Sequence, residues 1–565
     1  MPASLLFLLC LSQDVPATDG RLTNIPNTDT HFSMPVYGSR QAWEKRAAQL
    51  RKQILVAAGL SPLPPKSPLN AEIFGKVERP DYTVEKVLIQ TLPGYYLGGN
   101  LYRPKGKTGP FPAIASPHGH WNYGRLENTN LGSMPARGIN LARQGYVVFM
   151  YDMVGYNDTV QTPHAFGGPR EQLWSFGPLG LQLWNSIRVV DFLQSLPDVD
   201  RERIGATGAS GGGTQTFLLA AVDNRVKFAA PVNMISGIMQ GGSPCENAPS
   251  LRFDTNNIEL AALIAPRPMI MVSATGDWTK NTLHEEYPSM RQIYRLYNAH
   301  ESLEAVQFDF PHNYNKESRE AVYKFFAKQM LKAKNWEEYK EKSFSPEMPQ
   351  NLLVLHGRTL PAGALTYEQL VEQWIESARQ QNQASKPEEQ KERLQLAMGV
   401  REPEEKVLAK ESGGQLRLSR TSEGDLVTGI VQGKPDTIVV HPDGATAAPA
   451  AAGTLRLNVF RTRDQSAKQF QTFNRADDAL RVQDILTAIA YLKQQGVAKP
   501  KLKCSGKASI WCTFAAAVAD TNVTLDAPVQ GFRGTDQDII EQFFVPGLQR
   551  AGGWNAALAL ANRAN

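Results

Sequence analysis

The chain has 565 residues, which excludes a single small fold and favours about three to four folding units. Apolar residues make up 42% and charged residues 20%, as in packed globular proteins, and no collagen-like period runs through the glycines and prolines. The net charge of +5 comes without a long run of Lys or Arg, so we expect no nucleic-acid partner.

The first 17 residues carry the pattern of an export signal. Residues 5–11 form an apolar run that is far shorter than the roughly 20 residues needed to span a bilayer, so we expect no membrane span. The small Ala17 then follows, as at a signal-peptide cleavage site. We therefore predict a signal peptide over 1–17 and an exported protein. Because no Lys or Arg precedes the apolar run, a cytoplasmic protein is the alternative, and Leu9 disfavours a lipid anchor at Cys10.

Residues 18–80 are predicted to form an N-terminal extension that contains one amphipathic helix, because apolar side chains recur at helical spacing between 39 and 60. Two β-rich runs, 83–91 and 95–102, flank a Leu-Pro-Gly turn and predict a hairpin. Beyond it, apolar β-runs alternate with helical patterns. We therefore predict an α/β domain over 81–335 with a mostly parallel sheet and helices on both faces.

The composition changes over 336–405, where a stretch rich in charge and Gln predicts a helical, solvated linker. The α/β rhythm then restarts. Residues 435–444 match 111–119, and 502–511 match 204–213, with similar spacings downstream. We therefore predict that 406–565 form a degenerate and truncated copy of the first domain that lacks its last strands.

A serine occupies the turn between a predicted strand and a predicted helix. It lies in Gly208-Ala209-Ser210-Gly211-Gly212, a G-x-S-x-G sequence in which the glycines permit a strained backbone that exposes the hydroxyl of Ser210. Two alternatives are a turn that only packs helix on strand and a dinucleotide turn. Thr214 at the last glycine position of the nucleotide pattern, and the several strands before it, disfavour the second.

An acid and a base follow the serine in the chain. Asp277 comes directly after the predicted strand 268–273, and His312 comes after the predicted strand 305–308. A serine hydroxyl needs a histidine to take its proton and an acid to orient that histidine. We therefore predict a Ser210, Asp277, His312 triad, with Asp309 as the competing acid.

The loop after the predicted strand 113–116 contains two histidines, His118 and His120. The backbone N–H groups of His120 and Gly211 are the expected oxyanion donors. Although two histidines at i and i+2 suit a metal, no third ligand stands at a familiar spacing, so we expect neither metal nor organic cofactor. The other histidines, His164 among them, are interpreted as packed or solvated. Four aromatic side chains are candidates for stacking on a substrate, each weighed against simple burial in the core: Trp121, Tyr156, Trp174 and Trp278.

The second copy has no nucleophile at the corresponding position, because Ala508 stands where Ser210 stands and Ser509 is one residue out of register. The copy therefore cannot assemble a triad, and we predict that it is not catalytic.

These segments resemble the serine α/β-hydrolase superfamily, and within it the bacterial acetylxylan esterase and dienelactone-hydrolase-like branch. The resemblance covers residues 39–334 and is carried by PHGHW at 117, GASGG at 208, SATGDW at 273 and PHNYN at 311. It implies an α/β-hydrolase fold and hydrolysis of carboxylic esters through an acyl-enzyme, often of acetyl groups on plant polysaccharides. In such enzymes an HGY segment supplies an oxyanion N–H, and His118-Gly119-His120 takes its place here.

Two other functions stay open at this point. A serine peptidase of the prolyl-oligopeptidase type shares the triad order, but it carries a large β-propeller before the hydrolase domain, and only about 100 residues precede position 113 here. A non-enzymatic binding protein is the second, because the degenerate copy shows that a nucleophile can be lost. The expected substrate is thus an ester, carried by a carbohydrate in the favoured interpretation.

Overall fold

The computed structural model describes residues 14–420 and 424–564, so the apolar run of the predicted signal peptide lies outside the described residues. The chain divides into two compact units. One comprises 26–383 together with 468–473, and the other comprises 1–25, 384–467 and 474–565. The first unit is therefore longer than the predicted domain 81–335 at both ends.

A nine-stranded sheet forms the centre of the first unit, in the order β1-β2-β3-β5-β4-β6-β7-β8-β9. The strands are β1 (Glu72–Glu78), β2 (Tyr82–Leu92), β3 (Tyr95–Pro104), β4 (Phe111–Pro117), β5 (Val147–Tyr151), β6 (Val199–Ala209), β7 (Val226–Val232), β8 (Met269–Gly276) and β9 (Leu303–Pro311). Pairs β1-β2, β2-β3 and β3-β5 are antiparallel, and the remaining pairs are parallel. The carboxyl ends of six parallel strands therefore meet at one edge.

The helices follow the alternation that the sequence predicts. In chain order they are α1 (Arg40–Ala57), α2 (Met134–Gln144), α3 (Pro169–Leu173), α4 (Pro178–Ser195), α5 (Gly211–Val222), α6 (Asn257–Ala262), α7 (Glu286–Leu296), α8 (Lys316–Phe326), α9 (Pro349–Leu352), α10 (Tyr367–Ala384), α11 (Pro387–Met398), α12 (Phe470–Phe473), α13 (Asp477–Gln494), α14 (Ala508–Val518), α15 (Asp536–Gln542) and α16 (Gly553–Ala564). The hydroxyl of Ser39 caps α1 by accepting from the Ala42 N–H, so the predicted amphipathic helix is confirmed. Its apolar stripe, with Trp43 and Leu50, is buried.

The predicted hairpin is also confirmed, since β2 and β3 pair in antiparallel register around Pro93 and Gly94. Gly94 lies at φ 73°, a left-handed conformation that glycine adopts without strain. Strand β1, by contrast, was not predicted. Its residues are mostly exposed, so its sequence lacks the apolar alternation that marks a half-buried strand.

The segment 336–383 belongs to the first unit and is not a solvated linker. Asn100 on β3 donates from Nδ2 to the Leu352 carbonyl, and the Val354 N–H donates to Asp158. Trp374 and Ile375 on α10 are buried. The sequence predicts its helices correctly, but charged residues on the outer face conceal the apolar stripe that anchors them.

A short piece from late in the chain completes the first unit. The carbonyls of Gln471 and Thr472 accept from the Ser250 and Arg252 N–H groups, each at 2.9 Å. Residues 468–473 are thus built into the unit that holds the predicted triad, although 84 residues of the other unit separate them from position 383.

The second unit contains a seven-stranded sheet in the order β10-β11-β12-β14-β13-β15-β16. Its strands are β10 (Val407–Ser412), β11 (Gln415–Arg420), β12 (Val427–Gln432), β13 (Thr437–Val440), β14 (Thr454–Asn458), β15 (Lys501–Cys504) and β16 (Thr524–Asp526). This order and its pairing directions repeat those of β1 to β7. In the described part of this unit no strands correspond to β8 and β9, as the sequence repeat predicts.

Within residues 14–420 and 424–564, every helix is too short or too polar to cross a bilayer.

Candidate active site

Ser210 lies in the turn between the end of β6 and the start of α5. Its backbone has φ 57° and ψ −126°, a region that L-residues rarely occupy and that costs about 1–3 kcal/mol. A Cβ on Gly208 would lie 2.6 Å from the carbonyl oxygens of both Gly212 and Pro117, so only glycine fits there. The turn therefore has the conformation that exposes a serine hydroxyl at the carboxyl edge of the sheet.

His312 and Asp277 form a hydrogen-bonded pair at the same edge. Nδ1 of His312 lies 2.8 Å from Oδ2 of Asp277, whose side chain is 2% exposed. The other carboxylate oxygen, Oδ1, accepts from the Thr279 N–H at 2.7 Å and from its hydroxyl at 2.5 Å. The carboxylate is thus held from both sides, and it holds the imidazole in turn.

The opposite ring nitrogen of His312, Nε2, is buried and has no hydrogen-bond partner in the described parts of the chain. A buried ring nitrogen without a hydrogen-bond partner destabilises the folded state, unless a substrate or a nucleophile forms a hydrogen bond with it. Asp309, the competing acid, instead accepts a hydrogen bond from the Thr275 hydroxyl. The structure therefore pairs His312 with Asp277 and not with Asp309.

A pocket of about 510 Å³ opens at Ser210. Its lining comprises Thr28, Asp29, His120, Ser210, Met239, Gly242, Ser243, Glu246, Trp278, Lys468 and Gln469. The indole of Trp278 packs against the His312 ring with centroids 4.3 Å apart, and the Trp121 ring stacks on the same imidazole at 6.5 Å. Ser210 and Trp278 therefore line one pocket, and His312 packs against Trp278.

The loop after β4 passes directly beside the serine. A Cβ on Gly119 would lie 3.2 Å from Cβ of Ser210 and 2.7 Å from the Ala209 carbonyl oxygen. The neighbouring His120 ring contacts the other side of the turn, since a Cβ on Gly211 would lie 2.6 Å from its Cε1. Burial lowers the pKa of His120 to about 4. Gly119 and the His120 ring thus lie against the Ser210 turn, and Gly211 has one of the helix-start N–H groups without an intrahelical acceptor.

His118 fixes the conformation of this loop. The Met153 N–H donates to its Nε2 at 3.0 Å, so the ring proton sits on Nδ1, which lies 2.7 Å from the Gly119 carbonyl oxygen. Burial lowers the pKa of His118 to about 3, which keeps the ring neutral. The predicted oxyanion loop is therefore held to the strand end after β5 by a neutral histidine.

A second anchor of the loop is Arg125. Its guanidinium is fully buried and bonds to both Asp152 and Asp158, which are buried as well. Its Nε also donates to Oδ1 of Asn100 at 2.8 Å. Paired buried charges of this kind fix the geometry of the groups that they join.

The four aromatic candidates are divided by the structure. Trp121 and Trp278 lie against His312, as described above. Tyr156 lies edge-on to the rings of His118 and His164, each at 5.0 Å. Trp174 is only 4% exposed, and its carbonyl accepts from the Trp374 indole N–H at 2.9 Å. It packs in the core beyond α3 and is not part of the pocket lining.

Several lining residues could not be found from the sequence. Thr28 and Asp29 come from the N-terminal extension, and Glu246 comes from a short turn. Lys468 and Gln469 come from segment 468–473, the inserted segment of the first unit. None of them lies in a recognisable motif, because tertiary contacts alone bring these loops together. Nζ of Lys468 lies 3.0 Å from Oδ2 of Asp29, which closes one side of the pocket with an ion pair.

Comparison with known proteins gives consistent similarities. The acetyl xylan esterase family matches residues 181–235, which include Ser210. YtaP of Bacillus subtilis (strain 168), a candidate hydrolase, is 27% identical over 251 residues, covering 41% of this chain and 81% of that protein. The solved structure of methylesterase BT1017 is 30% identical with a TM-score of 0.52, covering 62% of this chain and 78% of that one.

Proposed function

Since this chain belongs to the α/β-hydrolase superfamily, in its acetyl xylan esterase branch, and is a carboxylic ester hydrolase, we propose that it removes ester groups from plant polysaccharides through a Ser210, His312, Asp277 triad. The observation that carries the triad is the Asp277–His312 pair, whose imidazole packs on Trp278, a residue that lines the pocket together with Ser210.

In the proposed first half-reaction, Nε2 of His312 takes the proton from the Ser210 hydroxyl as its oxygen attacks the ester carbonyl. Asp277 stabilises the imidazolium through Nδ1. The backbone N–H groups of His120 and Gly211 donate to the tetrahedral oxyanion, which is stronger than the ground-state carbonyl as an acceptor. The intermediate collapses, the alcohol leaves with the proton from His312, and the acyl group stays on Ser210.

In the second half-reaction, His312 takes a proton from water, which attacks the acyl-enzyme. The acid is released and Ser210 regains its proton. Apart from the substrate and this water molecule, the groups that these two steps use belong to the chain's own residues.

The proposal of a carbohydrate ester is supported by the acetyl xylan esterase match and by the methylesterase relative, which acts on an ester by its name. The pocket adds the indole of Trp278, which offers an apolar face on which a sugar ring can stack. The two candidate linkages are an acetyl ester of a sugar hydroxyl and a methyl ester of a uronic acid, and rates on the two substrates distinguish them.

The test is the initial rate of release from acetylated xylan, a feruloyl ester, a methyl glucuronate ester and a short p-nitrophenyl ester. We expect turnover of at least one polysaccharide ester, and Ser210→Ala lowers kcat by on the order of 10⁴-fold or more. Ser509→Ala serves as the matched control, because it removes the hydroxyl next to Ala508, the position of the degenerate copy that the sequence repeat aligns with Ser210. It leaves the rate unchanged. A Ser210→Ala protein with full activity would contradict the triad, and turnover of the p-nitrophenyl ester alone would contradict the polysaccharide substrate.

We also propose that the protein is exported. Cys504 at the end of β15 and Cys512 on α14 form a disulfide. Disulfides persist in oxidising compartments such as the periplasm and are rare in the cytosol. This bond agrees with the export signal that the sequence predicts over 1–17.

A further inference from the structure

Three side chains from separate loops meet in the wall of the pocket. They are His120, from the loop after β4, His164, from the loop between β5 and α3, and Cys245, from the short turn Pro244–Glu246. Nε2 of His120 lies 3.1 Å from Nε2 of His164 and 3.0 Å from Sγ of Cys245. All three ligand atoms lie within 4.8 Å of one another.

The orientation of His164 is set from behind. Its Nδ1 lies 2.7 Å from the Val154 carbonyl oxygen, which can only accept, so the ring proton is on Nδ1. Nε2 therefore presents a lone pair to His120 and Cys245. A metal-binding histidine is usually held in this way, with its other ring nitrogen donating to a backbone carbonyl.

The other two side chains are also held in place. The Cys245 turn is fastened by a capping box, in which the carboxylate of Glu246 accepts from the Ser243 N–H at 3.0 Å. Cys245 is buried and forms no disulfide. The His120 ring is wedged against Gly211, where a Cβ would lie 2.6 Å from its Cε1. The cluster is thus formed by fixed side chains and not by mobile surface groups.

Hydrogen bonds satisfy this arrangement poorly. If His120 carries its proton on Nε2, that single hydrogen cannot point at both the His164 nitrogen and the Cys245 sulfur. A metal ion, by contrast, accepts all three lone pairs at once. Tetrahedral zinc separates its nitrogen ligands by roughly 3.3 Å and nitrogen from sulfur by roughly 3.6 Å, so the two distances from His120 Nε2 need to lengthen by about 0.2 Å to His164 and about 0.6 Å to Cys245.

We propose that His120, His164 and Cys245 form a binding site for a zinc-type divalent ion. Two imidazoles and one thiolate suit zinc and disfavour magnesium or calcium, which prefer oxygen ligands. The Ser243 hydroxyl lies 3.4 Å from Nε2 of His164 and 3.6 Å from Sγ of Cys245, next to the fourth position. Because His120 and Ser243 line the pocket with Ser210, the ion shares the substrate's space.

The sequence expectation of no metal rests on the lack of a third ligand at a familiar spacing, and His164 and Cys245 lie 44 and 125 positions after His120, outside any such spacing. Only the fold brings a third ligand to the His118-Gly119-His120 loop.

Titration of the full chain with Co²⁺, after removal of metals by a chelator, tests the site. Thiolate-bound cobalt has a near-ultraviolet charge-transfer band, so we expect one Co²⁺ per chain with that band, displaced by an equivalent of Zn²⁺. Zn²⁺ also raises Tm by mass action. Cys245→Ser abolishes the band, and His164→Gln weakens binding by more than roughly 100-fold, because a lost ligand costs more than the 10- to 100-fold of a lost outer partner.

His284→Gln, which alters an exposed histidine outside the cluster, is the matched control and leaves binding unchanged. Ser210→Ala abolishes ester hydrolysis under the proposed mechanism but retains the cobalt band, so failure of the metal site and failure of the triad are distinguishable. Absence of stoichiometric binding in the folded wild-type chain, or a full band in Cys245→Ser, would overturn the proposal. Circular dichroism of each variant shows that it is folded.

Discussion

At the scale of single residues, contacts on several sides of the imidazole hold His312 in position. Asp277 holds Nδ1, the Trp278 indole packs on one face, and the Trp121 indole stacks on the ring as well. Because Asp277 also accepts two hydrogen bonds from Thr279, its carboxylate cannot rotate away without breaking them. Such a fixed base needs little reorganisation when it takes a proton.

This arrangement distinguishes the two candidate acids. Asp277→Asn preserves the shape of the side chain but removes the charge that stabilises the imidazolium, so we expect kcat to fall by roughly 10⁴-fold. Asp309→Asn is the matched control, because Asp309 bonds to Thr275, and we expect its kcat to stay close to the wild type. Steady-state hydrolysis of a p-nitrophenyl ester by both variants is the measurement. The assignment is wrong if Asp309→Asn shows the larger loss.

At the scale of elements, the inserted segment 468–473 links pocket and core. Lys468 and Gln469 line the pocket, while Phe473, four residues on, is buried. The Phe473 ring stacks on Phe32 with centroids 5.6 Å apart, and the Arg252 guanidinium lies 5.8 Å from the Phe473 ring centroid. The packing of Phe473 at the end of α12 thus anchors the segment that begins with Lys468 and Gln469.

Truncation of Phe473 tests this coupling. Phe473→Ala removes a buried aromatic ring, so we expect the free energy of unfolding to fall by about 3 kcal/mol. KM should rise as well, because the segment that carries the lining residues loses its anchor. Val36→Ala, at a residue that is 80% exposed, is the matched control and changes stability by about 0.5 kcal/mol or less. Urea unfolding and steady-state kinetics measure both effects; an unchanged unfolding midpoint in Phe473→Ala would count against the anchor.

At the scale of the whole molecule, the chain contains the same sheet twice. The second sheet repeats the order and the pairing directions of β1 to β7. The sequence repeat aligns Ala508 with Ser210, but Ala508 is already the first residue of α14, and the residue with positive φ in this strand-to-helix turn is Gly506, at 56°. Neither Gly506 nor Ala508 has a hydroxyl that could act as a nucleophile, so this copy lacks the chemistry of the Ser210 turn at both positions.

Export and the disulfide of this second unit make one joint prediction. The full chain, expressed with its own N-terminus in a bacterium, should be recovered outside the cytoplasm, start after Ala17, and yield a linked peptide pair containing Cys504 and Cys512. A chain that starts at position 18 is the control and stays in the cytoplasm with both thiols reduced. N-terminal sequencing and mass spectrometry without reductant decide the matter. An intact N-terminus with free thiols would contradict export.

Particular residues show which elements the sequence predicts and which it does not. Ser39 and the apolar spacing behind it predict α1, the Pro93-Gly94 turn predicts the hairpin, and the glycines around Ser210 predict its turn. Each is a local signal, in which the conformation of a few residues follows from their own chemistry. Strand β1 and the buried face of α10 carry no such signal, because their pairing and packing depend on distant partners.

The sequence by itself thus determined the α/β class, the duplicated domain, the order of Ser210, Asp277 and His312 along the chain, and the position of each at the end of a strand. Only the tertiary structure decided that His312 pairs with Asp277 and not Asp309, that Trp174 is core, that Lys468 and Gln469 line the pocket, and that His164 and Cys245 meet His120. The physical reason is that backbone periodicity and turn chemistry are local, whereas loops at a sheet edge are brought together by burial of apolar surface elsewhere in the unit, which leaves no spacing rule in the chain.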